Sequence, residues 1–517
     1  MQRRSYAMAG LRILAPALLL TACAAPAPQA PSAGAPAPPI PASYALVNRL
    51  TWGASSSAME RWAQADWRSV VQEQLRPGAP SLPREVQQQI DAMRISTTAL
   101  PDLVQQLEQQ RRDADAMRND EEKKAAQQAY QQELNRLLRE ASTRHVLRAL
   151  YATTQVQEEM SWFWLNHFSV HQGKSNLRAM VGDYEEHATR AHALGDFRDL
   201  LGAVVLHPAM LRYLDNDQNA VGHVNENFAR ELMELHTLGV DGGYSQHDVQ
   251  ELARVLTGVG VNLGSANAAQ KKELQGYYVR RGLFEFNPAR HDFAAKQLLG
   301  QNLQARGLGE LSEALGRLAM HPSTAHFISR KLALYWLNDA PPEALVRRMA
   351  QVYLQQHGNI ASTLETLFLS PEFQAASGQK FKDPMRYVVS AVRLAYDQKP
   401  VLNVGPLLNW LNRMGEPLYG RVTPDGYSLL ASAWDSPGQM TTRFEIAKAI
   451  GSGSAGLFKT DGPVVQERAA FPQLSNALYY QSIAKRLAPA TQQALDQAVS
   501  PQEWNTFLLS SPEMMVR

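Results

Sequence analysis

The chain has 517 residues, 45% of them hydrophobic, and a formal net charge of +2. That length suits one large domain or two to three ordinary ones, the apolar content excludes wholesale disorder, and a charge this near neutral argues against nucleic acid as the main partner. The single cysteine, Cys23, excludes an intrachain disulfide, a multi-cysteine zinc or iron–sulfur site, and a haem attached through C-x-x-C-H.

Residues 1–23 read as an export signal. Arg3 and Arg4 come first, and an apolar run from Leu11 to Leu20 follows, too short to span a bilayer as a helix. The run ends Leu20-Thr21-Ala22-Cys23, which resembles the bacterial lipobox. That resemblance implies a lipidated Cys23 as first mature residue and membrane lipid as a partner, with palmitate among the acyl groups. Each buried CH₂ of those chains contributes roughly 0.8 kcal/mol. Ala24, where an Asp would favour inner-membrane retention, implies the outer membrane. Residues 24–44 are Pro/Ala-rich and predict an extended tether without a core. Residues 45–517 form the folded body.

The body reads as mainly helical. Between 85 and 150, Leu103, Leu107, Leu134, Leu137 and Leu138 recur near helical spacing around an almost wholly polar stretch, Gln109 to Gln128. This predicts a helical hairpin projecting into solvent, or a mobile insertion, at about 104–140. Helical runs stop at His207-Pro208, His321-Pro322, Ser370-Pro371 and Ser511-Pro512, which mark helix-to-helix corners because proline suits the first turn of the next helix. Only Gly276–Val279 and Leu283–Phe286, flanking Arg280-Arg281-Gly282, look strand-like, and they predict one small β-hairpin. Helix resumes after about Leu298, and Pro424-Asp425-Gly426-Tyr427 reads as a turn.

The densest chemistry lies between Asn225 and Gly258. Asn225 can cap a helix starting at Glu226, with Phe228, Leu232 and Leu235 as its buried stripe. Glu226, Arg230 and Glu234 form a charge ladder, and Asn227, Glu231 and Glu234 an adjacent polar row. Gly239 suits the helix end, Ser245 opens a capping box with Asp248, and Val249, Leu252 and Leu256 point inward from a second helix. On a regular helix His236 lies about 200° from Glu234, so Glu231, Glu234 and His236 cannot share one ion. No Glu-x-x-His or EF-hand series occurs here. Either these groups are a packing network or they act as acid and base.

Other polar groups can converge on this block. His167 and His171, four apart after an aromatic run from Trp162, are candidate metal ligands if helical. Glu185, Glu186, His187, Asp215 and the pair His291-Asp292 lie on neighbouring segments. Candidate catalytic groups are Asp215, Glu226, Glu231, Glu234, His167 and His236. Asn166, Asn216, Asn225, Asn227 and Arg230 are the candidate polar network. No Walker loop, G-x-S-x-G or H-E-x-x-H motif is present, and no nucleotide or other cofactor is implied.

Several blocks in order resemble one bacterial family, the domain of unknown function numbered 1800. They include Leu46–Gly53, Trp164–Phe168, Ala193–Phe197, His207–Met210, Leu214–Asn216, Asn225–Leu232, Leu256–Gly258, His291-Asp292, Ser370–Phe373 and Pro424–Tyr427. The lipobox and the Gln-rich segment, residues 104 to 140, depart from the usual member. Members are typically exported, and their genes often neighbour a second exported family with a phosphatase- or sulfatase-like fold; the resemblance implies such a protein as partner. The expectation is a single large, mainly α-helical domain with one small β-hairpin. It acts as a lipid-anchored binding or accessory component of envelope or polysaccharide processing, or alternatively as a secreted hydrolase with a carboxylate/His site, metal-assisted or not. A concave pocket shared by His167, Asp215 and the Asn225–Glu234 segment favours the enzyme; carboxylates closed off by arginines favour binding.

Overall fold

A computed structural model describes residues 43–76, 78, 81–459 and 471–517. The export signal, Cys23 and nearly all of the 24–44 tether lie outside the described residues. The folded body begins where Ser43 caps the Tyr44–Leu50 helix. No helix among the described residues is long and apolar enough to cross a membrane.

The body is mainly α-helical, as expected, and it is built around the Gln155–His167 helix. Every residue of this helix except Asn166 is buried. A helix enclosed on all sides must be apolar all round or must satisfy its polar groups internally. This one does both. Trp162, Phe163, Trp164 and Leu165 pack into the core, and the Trp164 indole N–H donates to the Ala193 carbonyl at 3.0 Å. Glu158 is held by Arg190, whose guanidinium reaches it at 2.7 Å and 3.0 Å. Glu159 is fully buried against the guanidinium groups of Arg386 and Arg517 and the Tyr335 hydroxyl.

The same accounting draws distant segments onto this helix. Arg386 also donates to the Thr51 carbonyl at 2.6 Å, and Arg517 to the Tyr335 carbonyl. The Trp52 backbone N–H donates to the Gln155 side chain at 3.1 Å. Gly53, at φ +143°, lies against the Ser390 backbone, where a β-carbon would stand 2.8 Å from Ser390 Cα. Glycine is therefore required at this crossing.

The polar stretch forms a helical hairpin. The Leu100–Ala116 and Asp120–Tyr151 helices pack on each other across a short link. Asn119 caps the second helix by accepting from the Glu121 and Glu122 N–H groups, and three acidic residues complement its first turn. Leu103, Leu107, Leu134 and Leu137 bury the base, while most residues from 109 to 129 are exposed. The proline corners also hold: Pro208, Pro322, Pro371 and Pro512 each sit in a helical first turn. At two of them the cap is an imidazole, His207 Nδ1 accepting from Ala209 N–H and His321 Nδ1 from Ser323 N–H.

The predicted hairpin exists but is not alone. β1 (Val259–Val261) joins β2 (Val279–Arg281) and β3 (Phe284–Phe286) in an antiparallel sheet of order β1-β3-β2. Gly282, at φ +59°, occupies the first position of the two-residue β2–β3 turn, where primed turns favour glycine. The expected first strand begins late, because Lys272–Tyr277 is 3₁₀-helical. β1 is three residues long and directly follows a helix, too short for a period of two to register. A second ladder pairs β4 (Gln297–Leu298) with β5 (Gln301–Asn302).

The Glu159 network generates a stability prediction. Glu159→Ala leaves Arg386 and Arg517 buried without their carboxylate, a loss on the order of 3–5 kcal/mol. Urea unfolding should show a lower midpoint with an unchanged slope; an unaltered midpoint would mean the network contributes nothing to folding.

Candidate functional site

The Asn227–Glu234 helix starts one residue later than the sequence suggests, because Asn225 Oδ1 accepts from the Asn227 N–H at 2.9 Å and Glu226 becomes the flanking residue. Its buried face is Phe228, Ala229, Leu232 and Met233. Leu235, expected in that stripe, is only half-buried because the helix ends before it. The end also widens: the His236 N–H donates to Glu231 O at 3.1 Å and the Leu238 N–H to Met233 O at 2.8 Å, five residues back. Gly239, at φ +84°, then turns the chain beneath Phe327. This wide turn, unlike a regular helix, carries His236 wholly into the core.

The charge ladder forms only in part. Arg230 meets Glu226 at 3.0 Å, and Gln246 bridges both, donating to Glu226 at 2.7 Å and accepting from Arg230 at 3.0 Å. Among the described residues Glu231 and Glu234 have no hydrogen-bond or ion-pair partner. Burial raises the Glu231 pKa, and the Glu234 charge adds to it. Asp215, at φ +59°, is paired with Lys174 at 2.7 Å.

The asparagines are stitches between segments. Asn216 Nδ2 donates to the Val259 carbonyl at 2.8 Å, Asn227 Nδ2 to Leu214 O at 3.2 Å, and Asn225 Nδ2 to Asp215 O at 3.4 Å. Asn166 brackets Tyr427, donating to its carbonyl at 2.9 Å and accepting from its N–H at 2.6 Å. Gly426 lies under this bracket at φ +76°, and a β-carbon there would stand 2.1 Å from Asn166 O.

His167 and His171 do not form a helical pair. The helix ends at His167, so His171 lies beyond it in a turn. Among the described residues no group of three His, Cys, Asp or Glu side chains is placed to hold a metal ion. His167 is committed elsewhere. Its Nε2 lies 3.0 Å from the His236 carbonyl and its Nδ1 lies 2.9 Å from Lys331 Nζ. A carbonyl only accepts, so Nε2 carries the proton and Nδ1 presents a lone pair to the lysine. Burial pushes His167 well below the usual imidazole range, with Lys331 and His236 acting the same way. Burial, then Lys331, pushes His236 down to about 3. The two imidazole rings sit 5.9 Å apart at an angle of 61°. Lys331 is lowered to about 8 by burial, partly opposed by the Asp425 charge.

Lys331 opens onto a cavity of about 640 Å³ lined by Asn166, Arg330, Arg421, Asp425, Tyr427 and Trp434, among others. Asp425 is bound by Arg421 at 2.8 Å and by the Thr423 hydroxyl at 2.5 Å. Burial alone would raise its pKa, but these hydrogen bonds hold it below the usual carboxylate range. Asp339, also in the lining, is bound by Lys380 at 2.6 Å. Both lining carboxylates are thus neutralised, whereas Arg330 and Lys331 have no acidic partner among the described residues.

The structure therefore brings His167 and His236 together with Lys331. It does not bring Asp215, Glu226, Glu231 or Glu234 into the cavity lining, although Tyr213, pushed up to about 12 by burial, also senses the Glu231 and Asp425 charges. Sequence reasoning missed Lys331 and Arg421. Lys331 sits within Ala325 to Trp336, which reads as an ordinary helix, and Asp425 and Tyr427 sit in a segment that reads as a turn. Their one sequence signal is the Pro424–Tyr427 block.

A family model described as "Protein of unknown function (DUF1800)" matches residues 45–516. No curated protein and no solved structure matches the chain.

The two buried histidines contribute to the pH dependence of stability. Unfolded imidazoles take protons below about pH 6.5, whereas folded His236 does so only near 3. At this residue the unfolded state therefore binds more protons across that window, and its contribution to stability falls as pH is lowered. His187, raised by its hydrogen bond to Asp183, acts in the opposite sense. Between pH 7 and 5 the wild-type melting temperature should fall more steeply than that of His236→Phe; parallel slopes would remove His236 as the cause.

Proposed function

The chain belongs to the DUF1800 family of proteins of unknown function, and we propose that it acts as an exported, lipid-anchored binding protein whose Lys331 cavity takes the anionic group of an envelope polymer. The observation that carries this reading is the charge balance of the lining. Asp425 and Asp339 are each consumed by a cation, and Arg330 and Lys331 remain to receive an anion. Tyr427 and Trp434 add flat surface beside them. The cavity volume suits a saccharide unit or a comparable small group. Binding is favoured over hydrolysis because the uncommitted carboxylates, Glu231 and Glu234, lie outside this lining. The exported phosphatase- or sulfatase-like partner fits the same role, since such enzymes release or recognise anionic esters.

Two measurements test the reading. Oligogalacturonate should bind the full-length protein more tightly than an uncharged maltooligosaccharide, and less tightly as salt rises. Lys331→Gln should weaken that binding about 10- to 100-fold, the loss of one charge-assisted hydrogen bond. Equal affinity for both saccharides, or an unaffected variant, would refute an anion site. The anchor is tested separately. Cys23→Ser expressed in a Gram-negative host should lose incorporated palmitate and leave the membrane fraction; retention in the membrane would exclude Cys23 as the attachment point.

A further inference from the structure

We propose that Lys331 is a nucleophilic amine that condenses with the carbonyl group of the cavity's ligand, so that an acidic saccharide with a free reducing end is captured as an imine. The proposal rests on the anion-binding reading above and adds a covalent step to it.

The first argument is what Lys331 touches. A buried lysine usually meets a carboxylate, which holds it as ammonium. Lys331 meets an imidazole instead. Because the His167 Nε2–H is spent on the His236 carbonyl, Nδ1 can only accept. One N–H of the lysine satisfies it, and either an ammonium or a neutral amine supplies that N–H. The contact therefore anchors the nitrogen without selecting its charged form. In the neutral amine it leaves a second N–H and the lone pair free.

The second argument is the rest of the shell. Phe327 lies 5.4 Å from Nζ, ring centre to nitrogen. His236 is uncharged, and among the described residues both its ring nitrogens lack partners. Asp425, the one carboxylate among the described residues whose charge reaches Lys331, is turned to Arg421 and Thr423. With no carboxylate in contact and neutral imidazoles beside it, burial lowers this amine, which is how a lysine becomes nucleophilic near neutral pH. The third argument is access, since the side chain lines an open cavity.

The chemistry balances within the site. The amine lone pair attacks the carbonyl carbon of the open-chain aldehyde, forming a C–N bond while the C=O π pair becomes the oxygen's. One nitrogen proton moves to that oxygen, giving a carbinolamine. Loss of the hydroxyl and the second nitrogen proton as water leaves C=N, with no change in oxidation state. Arg330, beside Lys331 in the lining, would hold the sugar's carboxylate.

The test is reductive trapping of the full-length protein with galacturonate and cyanoborohydride, read by peptide mass mapping. Trapping should concentrate on Lys331 and rise as pH is taken from 6 to 8, and a neutral probe, glycolaldehyde, should label the same residue. Lys331→Arg keeps the charge, so it should still bind oligogalacturonate but lose the trapped adduct; Lys331→Met should lose both. Circular dichroism checks that each variant folds. Binding without selective trapping, or labelling spread evenly over Lys123, Lys124, Lys271 and Lys272, overturns the nucleophile while leaving the anion site standing. Selective glycolaldehyde trapping without oligogalacturonate binding does the reverse.

Discussion

Two adjacent carboxylates inside the core constrain the whole molecule. Glu158 and Glu159 sit on a helix enclosed on every side, so each must find cations or be protonated there. Their partners come from far along the chain: Arg190 for one, Arg386 and Arg517 for the other. Pairs of this kind add little net stability over an apolar replacement, but they are intolerant of misplacement, because a shifted partner leaves a bare charge in a dry interior. The rotation of the Gln155–His167 helix is thereby set. Asn166, its one residue not buried, therefore emerges at a defined place, with His167, its last, buried behind it.

What emerges there is a neutral polar cluster. The His236 carbonyl chooses the tautomer of His167, and the tautomer chooses what Lys331 meets. Asn166 and the glycine at 426 bring the Arg421–Tyr427 turn down as the opposite wall. The charge of the cavity follows from pairings settled outside it, Asp425 with Arg421 and Asp339 with Lys380. The proposed anion preference is thus a remainder, the charge left over once the structural pairs are made.

Several local predictions held because they depend on short-range physics. A proline after a helical run, a Ser–Asp capping box and a polar stretch between leucine repeats each settle their own few residues. Predictions that extrapolated a regular helix past its end failed together. Leu235 was placed by a 100° rotation that the chain abandons after Glu234, whereas Glu234 lies within the helix and simply meets no cation among the described residues. The pairing of His167 with His171 failed for the same reason at the other helix.

The amino-acid order alone determined the helical class, the hairpin, the corners and the family blocks, since these are readable from periodicity, capping and spacing. It also marked His167 and His236 as candidates. Only the tertiary structure decided that the two face one another in the core behind Lys331, which lines the cavity, while the denser carboxylates of the same segment do not approach it. The physical reason is that an ionisable side chain's role depends on which charges reach it and how much water remains. Here both are set by segments more than sixty residues away, from His236 to Asp425, that no local pattern connects.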